Sequence, residues 1–200
     1  MSLEFWNNRY DGEQYVYGEK PNDFLMEAVK QLPPSSSVLS IGEGEGRNAA
    51  FLAKRGHKVT AVDQSEVGLR KAQKLALSQG CSIETAVADL EDYQFGEHQW
   101  DAVVSIFCHT PNILRMSLYR SIKAGLKVGG IFIVEAYAPE QLARGTGGPK
   151  EIDNLVPLEE LLTEFSDFEI VRAQATTRLI AEGHFHQGLS DVTQFIGRRK

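Results

Sequence analysis

The sequence predicts an α/β fold: a three-layer αβα sandwich on a mostly parallel, seven-stranded sheet that ends in an antiparallel hairpin. Three observations carry this. Short apolar runs alternate with amphipathic stretches between residues 38 and 136, and glycines punctuate the junctions at Gly42, Gly44, Gly46, Gly56, Gly80, Gly129 and Gly130. The chain then closes with two β-rich runs, 168–180 and 184–196, joined around Glu182 and Gly183. At 200 residues there is enough chain for one domain spanning 1–200, with helices on both faces of the sheet.

Taken in order, Pro21 and Asn22 offer a start for a first helix whose apolar stripe is Phe24, Leu25, Ala28, Val29 and Leu32, ending before Pro33. A buried strand at 38–41 runs into Gly42-Glu43-Gly44-Glu45-Gly46. A helix at 47–55 follows, closed by Gly56, which accepts the left-handed conformation of a helix end. The pattern repeats with a strand at 57–62, a helix at 67–79 behind the N-cap Ser65, a stop at Gly80 and a strand at 82–87. A strand at 102–107, a helix around 114–126 and a strand at 131–136, entered through Gly129 and Gly130, complete the alternating part. Such alternation implies parallel pairing with right-handed crossovers. Residues 138–150 concentrate Gly and Pro and read as a loop near the site, and a short helix at 158–165 precedes the hairpin.

Composition narrows the function classes. A net charge of −6, with the only dense basic cluster at Arg198, Arg199 and Lys200, argues against nucleic acid. No apolar run approaches the roughly 18 residues of a membrane span, and the N-terminus lacks a basic segment followed by an apolar core, so the expected location is the cytoplasm. Cys81 and Cys108 lack CxxC spacing, which leaves neither a disulfide framework nor a zinc knuckle to expect.

The chemistry is concentrated in the glycine run and in Asp63. Glycines between strand and helix let the backbone turn sharply and approach a ligand, and an acid at the tip of the next strand accepts hydrogen bonds from both hydroxyls of a ribose. An ordinary glycine turn is the plain alternative, but the βαβ setting with Asp63 favours a Rossmann-like nucleoside-cofactor corner. Three features point away from nicotinamide dinucleotides. The spacing is GxGxG rather than GxGxxG, a further acid (Asp89) follows the third strand where it can accept from an adenine amine, and no second domain remains for a dehydrogenase substrate.

On these residues the chain resembles the class I S-adenosylmethionine-dependent methyltransferases over nearly its whole length. The motifs in order are residues 42–46, Asp63, Asp89, and Gly129 with Gly130. The resemblance implies S-adenosylmethionine as cofactor, with Gly42, Gly44 and Gly46 bordering its methionine part, Asp63 its ribose, and Gln64, Asp89 and Leu90 its adenine. Glu43, Asn48, Ile106 and Phe107 complete the implied cofactor-contacting set. Within the class, Trp6, Tyr17 to Asn22, Gly42 to Asn48 and Gly145 to Pro149 are similar to the small bacterial tellurite-resistance and thiopurine branch, which implies a small-molecule acceptor: a thiol, a heterocycle or a metalloid oxyanion. One position departs from the pattern. The family's first strand usually ends in an acid two residues before the first glycine, where this chain has Ser40; Glu43 either supplies that charge or sits solvated as a cap on the next helix.

Methyl transfer from a sulfonium is an in-line displacement, so alignment is the main task and a base is optional. The candidate base is His109, just beyond the fourth strand, with packing under a helix start as its alternative. Cys108 reads as a buried small residue rather than a nucleophile. Trp6, Tyr10, Tyr15 and Tyr17 make residues 1–20 a lid across the cofactor, or else an anchored tail. His184 and His186 invite a metal reading but lack a third ligand, so no metal is expected. Residues 145–149 either close over the acceptor or simply connect. The competing readings are an NAD-dependent oxidoreductase and a non-catalytic S-adenosylmethionine-binding module.

Overall fold

The computed structural model describes residues 2–183 and 185–200. Its seven strands are β1 (Ser37–Ile41), β2 (Lys58–Asp63), β3 (Glu84–Val87), β4 (Trp100–Ile106), β5 (Leu126–Tyr137), β6 (Glu169–Glu182) and β7 (His186–Arg198). They form one sheet in the order β3-β2-β1-β4-β5-β7-β6. The pairs among β1 to β5 are parallel, and β7 runs antiparallel to both β5 and β6.

Alternation along the strands builds two cores. Leu39 and Ile41 of β1, Val103 of β4 and Phe132 and Val134 of β5 face α5 (Asn112–Gly125) and α6 (Leu158–Glu164), where Leu118, Ile122, Leu161 and Phe165 complete one layer. Val38, Ala102, Val104, Ile131 and Ile133 point the other way, onto Phe24 and Leu25 of α2 (Asp23–Ala28), Leu52 of α3 (Arg47–Lys54) and Leu69 of α4 (Glu66–Ser78). A period-two pattern that is apolar on both faces is what a sheet covered by helices on both sides requires. This is the expected three-layer arrangement.

Differences from the sequence reading are local. Residues 3–10, where no periodic pattern predicts an element, form a helix, α1 (Leu3–Tyr10), capped by Ser2, whose hydroxyl accepts from Phe5 N. The first expected helix is split into α2 and a 3-10 turn at Val29–Gln31. β5 begins at Leu126, not at Ile131: the fully buried Leu126 pairs with Trp100, and a register shift between Trp100 and Ala102 absorbs Gly129 and Gly130 within the strand.

The strand order reverses between β1 and β4, because β2 and β3 lie to one side of β1 while β4 and β5 lie to the other. Loops leaving the carboxyl ends of these two neighbours diverge and open a crevice.

Candidate functional site

The crevice is a cavity of about 840 Å3. Its lining includes Gly42, Glu43, Gly44, Asn48, Asp63, Gln64, Asp89, Leu90, Ile106, Phe107 and His109. Gly46 is the expected site residue missing from that wall. It starts α3 at φ +90°, and a Cβ there would lie 2.4 Å from Cα of Ala72, so its role is close helix packing.

Two of the loop glycines are forced by protein neighbours as well as by φ. A Cβ on Gly42 (φ +60°) would stand 2.4 Å from Sγ of Cys108, and one on Gly44 (φ +63°) would stand 2.7 Å from Oη of Tyr10. The loop is thereby clamped between the end of β4 and α1. Asp63 staples it from below: one carboxylate oxygen accepts from Gly44 N at 2.9 Å, the other from Ser65 N at 2.8 Å. Burial raises its pKa against the pull of those two N–H groups. Each oxygen keeps a second lone pair, so the carboxylate retains acceptor capacity.

Glu43 caps α3, one of the two roles expected of it. It is buried rather than solvated, and the Ser40 hydroxyl donates to its Oε2. Its Oε1 accepts from Asn48 N at 3.1 Å and Ala49 N at 3.0 Å, two free donors in the first turn of α3. Burial raises its pKa. Glu43 is thus a buried cap on α3 that also lies on the cavity wall beside Ser40.

Glu45, which the sequence reading passed over, fastens the N-terminal segment. Its Oε2 accepts from Val16 N at 2.8 Å and Tyr17 N at 3.3 Å, and Lys71 Nζ pairs with its Oε1 at 2.5 Å. The same ammonium donates to the carbonyls of Gly12 and Gln14 at 2.8 and 2.7 Å. Ser65 Oγ reaches Asn7 Oδ1 at 2.7 Å. Residues 5–18 are therefore strapped along α4, with Trp6, Tyr10 and Tyr17 on the cavity wall and Trp6 stacked on Tyr10 at 5.5 Å.

Across the cavity, Phe107 holds a left-handed backbone (φ +52°), a strained conformation for a side chain of its size. His109 follows it. Its Nδ1 lies 3.2 Å from the carbonyl of Asn154, and its ring stacks on Tyr137 with centroids 5.4 Å apart and planes 16° apart. The turn carrying Asn154 is pinned by Arg115, which donates to the carbonyls of Thr110 at 2.8 Å and Asp153 at 2.9 Å while gripping Glu160 through two nitrogens. Burial pushes the His109 pKa down to about 4, with the Arg115 charge acting in the same direction. His109 Nε2 is buried and finds no hydrogen-bond partner among the described residues. Burial drives the Cys108 thiol the other way, up to about 12, which removes it as a nucleophile.

A buried polar network ties the hairpin to this site. Asn22 Nδ2 donates to Glu135 Oε2 at 2.5 Å and Glu182 Oε1 at 3.0 Å. Arg178 bridges the same two carboxylates at 2.6 and 2.7 Å, and Arg47 pairs with Glu182 at 2.6 Å. None of these long-range partners has a local sequence signal. Of the two hairpin histidines, His184 lies outside the described residues. His186 packs its ring 4.6 Å from Tyr17 and 4.7 Å from Phe107. Among the described residues no group of three or more His, Cys, Asp or Glu is arranged to hold a metal, and no helix is long and apolar enough to cross a membrane.

A mostly parallel sheet with an antiparallel C-terminal pair, a glycine loop clamped at the switch point and acids after β2 and β3 define a class I methyltransferase fold. Residues 38–130 match the family described as a methyltransferase domain. Over residues 38–130, and in its fold, the chain is similar to the class I S-adenosylmethionine-dependent methyltransferases. A sarcosine/dimethylglycine N-methyltransferase from Halorhodospira halochloris is 30% identical over 164 residues, covering 79% of this chain and 57% of that enzyme, so the chain spans less than two thirds of that relative. Among solved structures, TehB from Haemophilus influenzae superposes with a TM-score of 0.74 at 18% identity, over 99% of this chain and 67% of that one. Magnesium protoporphyrin IX methyltransferase from Synechocystis, solved with bound SAH, superposes with a TM-score of 0.71 at 18% identity, over 99% of this chain and 97% of the other. Identities this low carry the fold alone.

Proposed function

We propose that this protein transfers a methyl group from S-adenosylmethionine to a small-molecule acceptor by in-line displacement. One observation carries the reading: a single cavity joins the corner formed by Asp63, Gln64, Asp89 and Leu90 to the face bearing His109. A cavity of this size lies within the roughly 300–1,000 Å3 range of small-ligand sites. Its residues fit the cofactor. The spare lone pairs of Asp63 suit ribose hydroxyls, Gln64, Asp89 and Leu90 suit adenine, and Gly42, Gly44 and Asn48 leave room along the methionine part. The Glu43 carboxylate suits an ammonium group, and Ile106 and Phe107 supply an apolar flank. Gly46 acts indirectly, by seating α3 on α4.

S-adenosylmethionine, when bound, supplies a methyl group activated by its sulfonium charge. The remaining work falls to the chain. The strap from α1 to Tyr17 acts as a lid that excludes water, and His109 accepts a proton from the acceptor at Nε2. The acceptor is a thiol, a heterocycle or a metalloid oxyanion. Calorimetric titration with S-adenosylmethionine, S-adenosylhomocysteine and NAD is the direct test. Binding of the first two without NAD is expected; NAD binding with neither of the others would overturn the reading in favour of an oxidoreductase. Cofactor binding without methyl transfer to a panel of thiols, phenols, heterocycles and metalloid oxyanions would leave a binding module.

A further inference from the structure

The wall opposite the glycine loop is specific enough to narrow the acceptor, a step that rests on the methyltransferase reading above. The carbonyl of Asn154 can only accept a hydrogen bond, so the 3.2 Å contact requires that Nδ1 of His109 carry the proton. In the neutral ring Nε2 is then a bare lone pair. It is buried, it has no partner among the described residues, and its residue lines the cavity. A buried acceptor left unfilled is costly, and a ligand that brings a donor relieves that cost.

The surroundings define what kind of molecule brings it. Phe107 lies 4.8 Å from Tyr137 and 4.7 Å from His186, and Tyr17 lies 4.6 Å from His186. With the buried Tyr137 stacked behind His109, the rings of Tyr17, Phe107, His109 and His186 bring an aromatic face to the cavity, suited to a flat partner. His186 adds a second polar point, since its Nδ1 is also buried without a partner among the described residues. Its tautomer is not fixed by that nitrogen, so it can donate or accept beside the group that meets His109. Neither imidazole is itself a cation. Both imidazoles are held neutral by burial, and Arg47, the charge acting on His186, is already paired with Glu182 at 2.6 Å. A thiolate or a deprotonated metalloid oxyanion brings no hydrogen to the Nε2 lone pair, whereas a neutral O–H or N–H does.

We propose that the acceptor is a planar heteroaromatic molecule with a protonated ring hydroxyl or ring N–H, held by donation of that hydrogen to Nε2 of His109. Calorimetry with 7-hydroxycoumarin and coumarin, which differ by one hydroxyl, tests this on the protein with and without saturating S-adenosylhomocysteine. The wild type is expected to prefer 7-hydroxycoumarin by about tenfold, the scale of one buried hydrogen bond. In His109→Ala that preference should vanish while S-adenosylhomocysteine affinity stays within about twofold. His109→Gln, which keeps an amide oxygen near the same place, should restore part of it, and His109→Phe, which keeps a ring but no lone pair, replaces the Ala variant if that one fails to fold. Equal binding of the two coumarins by the wild type, survival of the preference in the variant that lacks an acceptor (Ala or Phe), or tighter binding of thiophenol or selenite would overturn the proposal. If S-adenosylhomocysteine itself fails to bind, the cofactor reading fails, and the coumarin pair on the free protein still decides this one.

Discussion

Replacing His109 with Gln removes a proton-binding site whose affinity changes on folding. An unfolded imidazole titrates near 6.5, and burial together with Arg115 brings His109 down to about 4. Between those values the unfolded chain binds a proton that the folded chain refuses, so the stability contributed by the neutral ring is complete above about pH 6.5 and is lost as pH falls toward about 4. Integrating from about pH 7 to about pH 4.5 gives a loss of about 2 kcal/mol for this residue. Glu43 and Asp63, whose pKa values are raised by burial, act in the opposite sense in both proteins and cancel in the comparison. Urea unfolding of wild type and His109→Gln at the two pH values should therefore show the gap between them shifting by about 2 kcal/mol, the wild type losing more on acidification. Parallel stability profiles would refute the reasoning, because they would mean that the ring is charged or solvated in the folded state.

Two further outcomes follow from the buried network and the strap. Arg178→Met leaves Glu135, which has no exposed surface, without its cation, and should cost about 3–5 kcal/mol in urea unfolding, the range for a broken buried pair. Lys71→Met cuts the ammonium that holds Gly12, Gln14 and Glu45. It should speed amide hydrogen exchange at residues 10–17 and weaken S-adenosylhomocysteine binding about threefold to tenfold, with the melting temperature moving by only about 2–4 °C.

What was legible in the sequence is what local chemistry fixes. Gly42 and Gly44 stand where positive φ is needed, Asp63 and Asp89 stand at strand ends, and the apolar alternation of β1, β4 and β5 separates the two helix layers; each is a short-range pattern. The helix at 3–10 went unread because half of it is polar and its stability comes from packing on α4, not from its own periodicity. The role of Glu45 was hidden for a similar reason. Within the glycine run it reads as a solvated charge, and only the return of Val16 and Tyr17 makes it an anchor. Asn22 looked like a helix cap, and it is one, accepting from Leu25 N at 2.9 Å. Its amide also reaches carboxylates 113 and 160 residues away, a pairing that no spacing rule could announce.

That last separation bears on how the molecule is made. The strap is translated before Glu45, Ser65 and Lys71, which fasten it, and the carboxylates that receive Asn22 come later still. The Asn22 amide therefore gains its full set of partners only once the β6–β7 hairpin has been synthesised and has joined the sheet beside β5. Completion of this buried knot is then a late event of assembly, and a nascent chain arrested before Glu182 would leave Asn22 and Arg47 without the carboxylate that joins them.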